Sequence, residues 1–208
     1  MIKLAILVAI SAIVHACCDE PERIIGGDIA AIGQFKYQVS LQSYGEHICG
    51  GTIISSTHIL TAAHCVDDDF YTNDMLKKPI KANDVQGPIP LASKNYINGG
   101  KRGIVSGWGR TKTSGSSSEI LRWLSVNVLS QERCLQGHKN PRTNENQICT
   151  LEKVGKGACQ GDSGGPLVVD GEVIGVVSWV LPCALGISDV YTNVHKYLDF
   201  IEESQLTC

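Results

Sequence analysis

Several patterns that mark particular protein classes are missing from this chain of 208 residues. Lysine and arginine never occur in runs longer than two, and the formal net charge is only −3, so no strongly basic surface for nucleic acid is expected. There is no Cys-x-x-Cys pair, which disfavours a zinc site, and no Asn-x-Ser/Thr acceptor for N-glycosylation. The sequence therefore predicts no metal, no cofactor and no nucleic-acid partner.

Long apolar runs are also missing, since spanning a bilayer takes about 20 such residues. The apolar run near the N-terminus is shorter. It has a positive start at Lys3, a largely apolar stretch over Leu4–Val14, and an end at Val14-His15-Ala16 that resembles a cleavage site. This order is typical of a secretory signal peptide, which we predict over residues 1–16. We expect a secreted, extracellular protein that does not bind membranes.

Cysteine is the residue that the chain has in excess, with nine against two methionines. The wide spacing of the cysteines fits a disulfide-bonded protein from an oxidising compartment. Hydrophobic residues make up 43% of the chain and charged residues 19%, which provides enough apolar material for a substantial core.

A glycine-rich stretch in the second half surrounds one serine. Residues 157–166 read Gly-Ala-Cys-Gln-Gly-Asp-Ser-Gly-Gly-Pro. Glycines on both sides of Ser163 permit a tight turn that exposes its hydroxyl group. In such a turn the hydroxyl can attack a carbonyl group while the N–H groups of Gly161 and Ser163 hold the oxyanion. Without a base the same residues would describe an ordinary surface turn.

A candidate base, His64, lies in the sequence Thr-Ala-Ala-His-Cys over residues 61–65. A lone histidine is more often structural than catalytic, but His64 adjoins Cys65, which can fix its position. Four other histidines belong to no motif and are interpreted as structural or surface residues: His47, His58, His138 and His195.

These two motifs, in this order, resemble those of the chymotrypsin-type (trypsin-like, S1 family) serine proteases. Residues 24–27, 106–109 and 178–179 match the same family, and the part after Ile148 is similar to insect chymotrypsins in particular. The resemblance implies an all-β fold of two six-stranded antiparallel β-barrels with a C-terminal helix. It also implies a serine endopeptidase that uses Ser163 as nucleophile, His64 as base and an aspartate that orients the histidine.

One part of the family pattern is shortened. In the family the catalytic histidine and aspartate are roughly 45 residues apart, and the aspartate and serine roughly 93. The candidate aspartate, Asp74, lies 89 positions before Ser163 but only ten after His64. The resemblance therefore implies an internal deletion of about 35 residues. We expect a truncated first barrel over residues 24–100, and the second barrel with the helix over residues 101–208.

The resemblance also implies processing and crosslinks. Residues 17–23 would form a propeptide, and a cut after Arg23 would free the α-amino group of Ile24 to pair with Asp162. The implied disulfides are Cys49–Cys65, Cys134–Cys149 and Cys159–Cys183. Three cysteines remain, Cys17, Cys18 and Cys208, and a bond between the propeptide and Cys208 is left open.

The substrate pocket follows from the same resemblance. It would be formed by Gly157, Ala158, Ser178, Trp179, Val180 and Asp189. Gly157 stands where trypsins carry an aspartate, so cleavage after lysine or arginine is disfavoured. Val180 narrows an apolar slot, which predicts cleavage after apolar residues in a chymotrypsin-like or elastase-like manner. An unscreened Asp189 would leave weak acceptance of basic residues open.

The expected partners are protein or peptide substrates, an activating trypsin-like protease and protein protease inhibitors, and the protein is expected to be a monomer. The alternative is a catalytically impaired homologue or truncated isoform that acts by binding only. Displacing a catalytic group by about 1 Å can reduce the rate about 100-fold, and a shortened first barrel could cause such a displacement.

Overall fold

The computed structural model describes residues 24–66, 78–112, 115–138, 143–181 and 183–206. The predicted signal peptide and propeptide, including Arg23, lie outside these ranges, as do Asp74 and Cys208. No helix in the described ranges combines the length and the apolar character needed to cross a bilayer.

Short antiparallel strands dominate the chain. The strands are β1 (Asp28–Ile29), β2 (Gln38–Ser43), β3 (Glu46–Ile53), β4 (Ile59–Leu60), β5 (Arg102–Gly107), β6 (Arg122–Val128), β7 (Gln147–Leu151), β8 (Pro166–Val169), β9 (Glu172–Trp179) and β10 (Asp189–Asn193). The α-helices are α1 (Gln131–Gly137) and α2 (Leu198–Leu206), and two 3₁₀ turns cover Ala63–Cys65 and Val194–Tyr197.

The second half closes into a barrel. Its strands follow the order β6-β5-β8-β9-β10-β7, and β7 pairs back with β6. Closure removes exposed strand edges, and β-branched residues pointing inward fill the interior of such a barrel. Val105, Val173, Val177 and Tyr191 are almost completely buried there. The predicted six-stranded barrel and the C-terminal helix are confirmed.

The first half is smaller. Within the described residues it forms a three-stranded sheet, β2-β3-β4, rather than a closed barrel. Strand β1, near the start of the domain, pairs with β6 of the barrel instead, through Asp28 opposite Trp123. The first described strand therefore adds to the sheet of the second half rather than to that of the first half.

The Gly50-Gly51 pair does not interrupt β3, although glycine in the interior of a strand generally weakens it. The strand is continuous because both glycines serve close packing. A Cβ atom on Gly50 would lie 2.9 Å from the Gly165 Cα, and one on Gly51 would lie 2.8 Å from the Ile59 Cγ2. The lack of a side chain at Gly50 lets the first sheet approach the turn that carries Ser163, and the lack of one at Gly51 lets β3 pack against Ile59.

We predict that Gly50→Ala destabilises the fold by about 1–3 kcal/mol, because the neighbouring backbone of Gly165 must shift to admit a methyl group. The matched control is Gly87→Ala, where the new Cβ would make an ordinary 3.5 Å contact with the Ala82 Cβ. Denaturant unfolding of both variants measures the difference. Equal stability of the two variants would contradict the packing argument.

Candidate active site

The turn that carries Ser163 is held from two sides. Gly50 of β3 donates its N–H to the Ser163 carbonyl oxygen at 2.7 Å, and Gly164 donates to the Val177 carbonyl oxygen of β9 at 2.8 Å. Gly164 has a φ of +78°, and a Cβ atom there would collide with the Thr61 hydroxyl. Only glycine satisfies both constraints, so the local sequence fixes the turn and leaves the Ser163 side chain partly exposed.

His64 lies in a 3₁₀ turn beside this loop. The Cys49–Cys65 disulfide ties the turn to β3, and Thr61 donates its hydroxyl to the Gly50 carbonyl oxygen at 2.9 Å. Gly50 thus connects the base to the nucleophile, because it bonds both segments. The His64 ring is exposed and makes no hydrogen bond with a described residue, and catalytic hydrogen bonds are often loose until substrate binds.

The ring of His64 lies within 4.8 Å of the sulfur atoms of Cys49 and Cys65. Because these sulfur atoms are joined in a disulfide, they are not available as thiolate ligands. The geometry of this cluster therefore fits a crosslinked base rather than a metal centre.

Two backbone N–H groups beside Ser163 are available to a substrate. Among the described residues, neither the Gly161 N–H nor the Ser163 N–H donates to a protein acceptor. Gly161 has a φ of +94°, and its carbonyl oxygen lies 2.7 Å from the His47 Nε2. The His47 Nδ1 in turn lies 2.8 Å from the Ser40 hydroxyl oxygen. His47 therefore holds the peptide group between Gly161 and Asp162, which adjoins the peptide group whose N–H the sequence assigned to the oxyanion hole. The lack of a motif around His47 concealed this contact.

Asp162 is completely buried directly before the nucleophile. Its carboxylate accepts hydrogen bonds from the Gly109 N–H at 2.8 Å and the Cys159 N–H at 2.9 Å. Burial raises the pKa of Asp162 to about 6, and these two bonds oppose the rise. The side chain of any other residue at Gly109 would collide with the carboxylate, which explains the glycine in the 106–109 motif.

In the structure two residues that were predicted to form the pocket, Gly157 and Asp189, lie next to each other. A Cβ atom on Gly157 would lie 2.9 Å from the Asp189 Oδ2, and the same oxygen accepts from the Ala158 N–H at 2.8 Å. Asp189 is 5% exposed. Burial raises the pKa of Asp189 to about 7, the Ala158 N–H opposes this, and the charge of Asp162 adds to it.

The opposite side of the pocket comes from the end of β9. Trp179 pairs with Val190 of β10. Val180 packs against Ile25, Ala184 and the Cys159–Cys183 disulfide. We use the name specificity pocket for the set of residues that the sequence predicts to select the substrate: Gly157, Ala158, Ser178, Trp179, Val180 and Asp189.

A cavity of about 310 Å³ is lined in part by His64. Its walls are mainly apolar residues of the 60–63 segment, β9 and the C-terminal helical segment, while Thr61, Ser178 and Thr192 contribute hydroxyl groups. Asp74, the predicted orienting acid, lies outside the described residues, so its role stays a prediction.

All three disulfides implied by the sequence are present: Cys49–Cys65, Cys134–Cys149 and Cys159–Cys183. The first holds the candidate base, and the third braces the specificity pocket. The remaining cysteines, Cys17, Cys18 and Cys208, lie outside the described residues.

Comparison with known proteins agrees with this geometry. The model of the family described as Trypsin matches residues 24–75 and 74–201. Chymotrypsin-2 of Vespa crabro is 34% identical over 222 residues, which cover 88% of this chain and 100% of that protein. Trypsin II-P29 of Gallus gallus is 34% identical over 227 residues, covering 89% of this chain and 90% of that protein. The chain therefore belongs to the trypsin family of serine proteases and is a serine endopeptidase that acts on protein or peptide substrates.

Proposed function

We propose that this endopeptidase is secreted as an inactive precursor and that, once cut after Arg23, it hydrolyses peptide bonds that follow apolar residues. The observation that carries the proposal is the turn at Ser163, where the partly exposed serine is accompanied by two backbone N–H groups, those of Gly161 and Ser163, with no protein acceptor among the described residues. Such donors stabilise an oxyanion in acyl transfer.

In the proposed reaction Ser163 Oγ attacks the substrate carbonyl carbon and His64 takes its proton. The carbonyl oxygen becomes an oxyanion that accepts from the Gly161 and Ser163 N–H groups. When the intermediate collapses, the C–N bond breaks and His64 gives the proton to the leaving amine. Water then attacks the acyl-enzyme by the same route and restores the Ser163 hydroxyl.

We assign the orienting acid to Asp74. The cavity beside His64 supports this assignment because the hydroxyl groups of Ser178 and Thr192 offer donors to a carboxylate within largely apolar walls. The nine residues between His64 and Asp74 can span about 33 Å when extended, so the shortened connection does not prevent the two side chains from meeting.

Activation by cleavage is supported by the environment of Ile24. The side chain is fully buried, and its backbone φ is +30°, a conformation that costs a β-branched residue about 1–3 kcal/mol. A cut after Arg23 would remove the preceding peptide unit and release this strain. Ile25 pairs with Gly157, and Cys159 donates to Asp162, so a new amine on Ile24 would arise near the buried carboxylate.

The preference for apolar residues rests on the specificity pocket. Gly157 leaves the floor without a fixed anion of its own, and Val180 narrows one wall. Asp189 brings a carboxyl group to the floor, but its raised pKa of about 7 leaves it only about half ionised at neutral pH. The reduced negative charge makes the floor a weaker site for lysine or arginine than a fully ionised aspartate, and the apolar wall at Val180 favours an apolar side chain before the cleaved bond.

The direct test treats the secreted chain with a trypsin-like protease and offers it peptides with an apolar, a basic or an acidic residue before the cleaved bond. We expect turnover of the apolar peptides and labelling of Ser163 by a serine-directed phosphonate. The Arg23→Gln precursor and the Ser163→Ala variant should show neither. Absence of both labelling and turnover in the cut chain would favour a homologue that acts by binding only.

The role of Asp74 has its own test. We predict that Asp74→Asn lowers kcat on the order of 10⁴-fold, because the wrong tautomer of His64 is then favoured. Asp68→Asn is the matched control, since it removes the same charge from the same segment. Equal activity of the two variants would exclude Asp74 as the orienting acid.

The buried Asp189 predicts a pH-dependent stability. Because its folded pKa is raised from 3.8 to about 7, the folded state holds a proton that the unfolded state has lost, and stability decreases as the pH rises through this window. Relative to Asp189→Asn, the wild-type protein should therefore be less stable at pH 8 than at pH 4. Denaturant unfolding at both pH values measures this, and a pH-independent difference would refute it.

A further inference from the structure

His138 directly follows helix α1 and contacts two residues at the specificity pocket, Ser188 and Trp179. Its Nε2 lies 2.6 Å from the Ser188 hydroxyl oxygen, and its ring meets the Trp179 ring edge-on with centroids 5.0 Å apart. We propose that His138 is a positioning residue that sets the width of the pocket and makes substrate binding pH dependent. The proposal rests on the proposed function, because it takes this pocket as the one that binds the residue before the cleaved bond.

The two contacts of His138 reach different walls. Trp179 lies directly before Val180, the residue that narrows the pocket. Ser188 lies directly before Asp189, whose carboxyl group approaches Gly157 at the floor. The single ring therefore connects the end of β9 with the start of β10, and a change in its position would move both walls.

Helix α1 gives the histidine a fixed support. The Ser130 hydroxyl caps the helix by accepting from the Arg133 N–H at 3.3 Å. The Cys134–Cys149 disulfide ties the helix to β7, and Trp179 packs against the cluster that contains both cysteines. A helix that is capped at its N-terminal end and crosslinked to β7 holds the ring at its C-terminal end more firmly than a surface loop would.

The surroundings of the ring favour the neutral form. His138 is 4% exposed, and its Nδ1 has no partner among the described residues. Burial lowers the pKa of His138, while an interaction with the Ser188 backbone opposes this. A proton would therefore place a charge in a site where the described residues offer no acceptor for the Nδ1 N–H.

The elements packed around the ring carry few ionisable groups. Strand β10 has Asp189 and the buried Tyr191, β9 has only Glu172 at its far end, and β7 has none. Helix α1 carries the exposed Glu132 and Arg133. A lowered folded pKa means that the contact is fully stable above the ordinary histidine pKa of about 6.5 and is lost as the pH falls through the folded value.

The first measurement does not require activity. The full chain is titrated while tryptophan emission is recorded, because a protonated imidazole quenches an indole ring beside it. The titration uses the Trp108→Phe background, because the rings of His47 and Trp108 also lie close together, with centroids 5.8 Å apart. In this background we expect a step with a midpoint below pH 6.5 that persists when His195→Phe is added but disappears when either His138→Phe or Trp179→Phe is added. A step that survives His138→Phe in this background would overturn the proposed contact.

The second measurement uses the cut enzyme and an apolar peptide substrate on either side of that midpoint. Loss of one hydrogen bond corresponds to about a 5-fold change in binding, so we expect KM to rise about 5-fold below the midpoint in the wild type but not in His138→Phe. The pH profile of kcat should be shared by both. Ser188→Ala should raise KM about 5-fold above the midpoint as well.

The results separate this proposal from the proposed function. If the cut enzyme turns over no peptide, the proposed function fails while the fluorescence titration still tests the His138–Trp179 contact. Identical KM profiles in the wild type and His138→Phe would overturn the positioning role. Should His138→Phe fail to fold, an unchanged KM in Ser188→Ala would overturn it instead.

Discussion

The buried carboxylate of Asp162 is the interaction on which the candidate active site depends. A carboxyl group with no exposure to water must be hydrogen-bonded, and here it accepts from the Gly109 and Cys159 N–H groups. The bond from Gly109 holds the 159–165 loop against the segment that follows β5, and the bond from Cys159 closes the loop on itself. The loop then places Ser163 outward, with its own N–H and that of Gly161 unpaired among the described residues.

Close backbone approach, made possible by glycine, joins the small first sheet to the barrel. Gly50 accepts from Thr61 and donates to Ser163, and His47 reaches from β3 to the Gly161 carbonyl oxygen. These contacts involve only β3 and the turn after β4. The three described strands of the first half are therefore enough to hold the turn that carries His64 beside the turn that carries Ser163.

Much of this arrangement was predictable from the sequence. The His64 and Ser163 motifs, the three disulfides and the barrel follow from local patterns and from the family resemblance. The continuity of β3 was not predictable, because glycine pairs weaken strands in general, whereas here they serve contacts with residues far along the chain. The roles of His47 and His138 were missed for the same reason, since each acts through a partner more than 40 positions away.

The residue patterns establish which chemical groups are available: a serine in a glycine-rich turn, a histidine beside a cysteine, and a glycine in place of an acidic pocket floor. The electrostatics of these groups depend on the folded protein. The sequence placed Asp189 in the pocket but left its charge open, and folding buries it against Gly157 and Ala158 and raises its pKa to about 7. Burial depends on which segments meet, and those contacts are between residues distant in the chain.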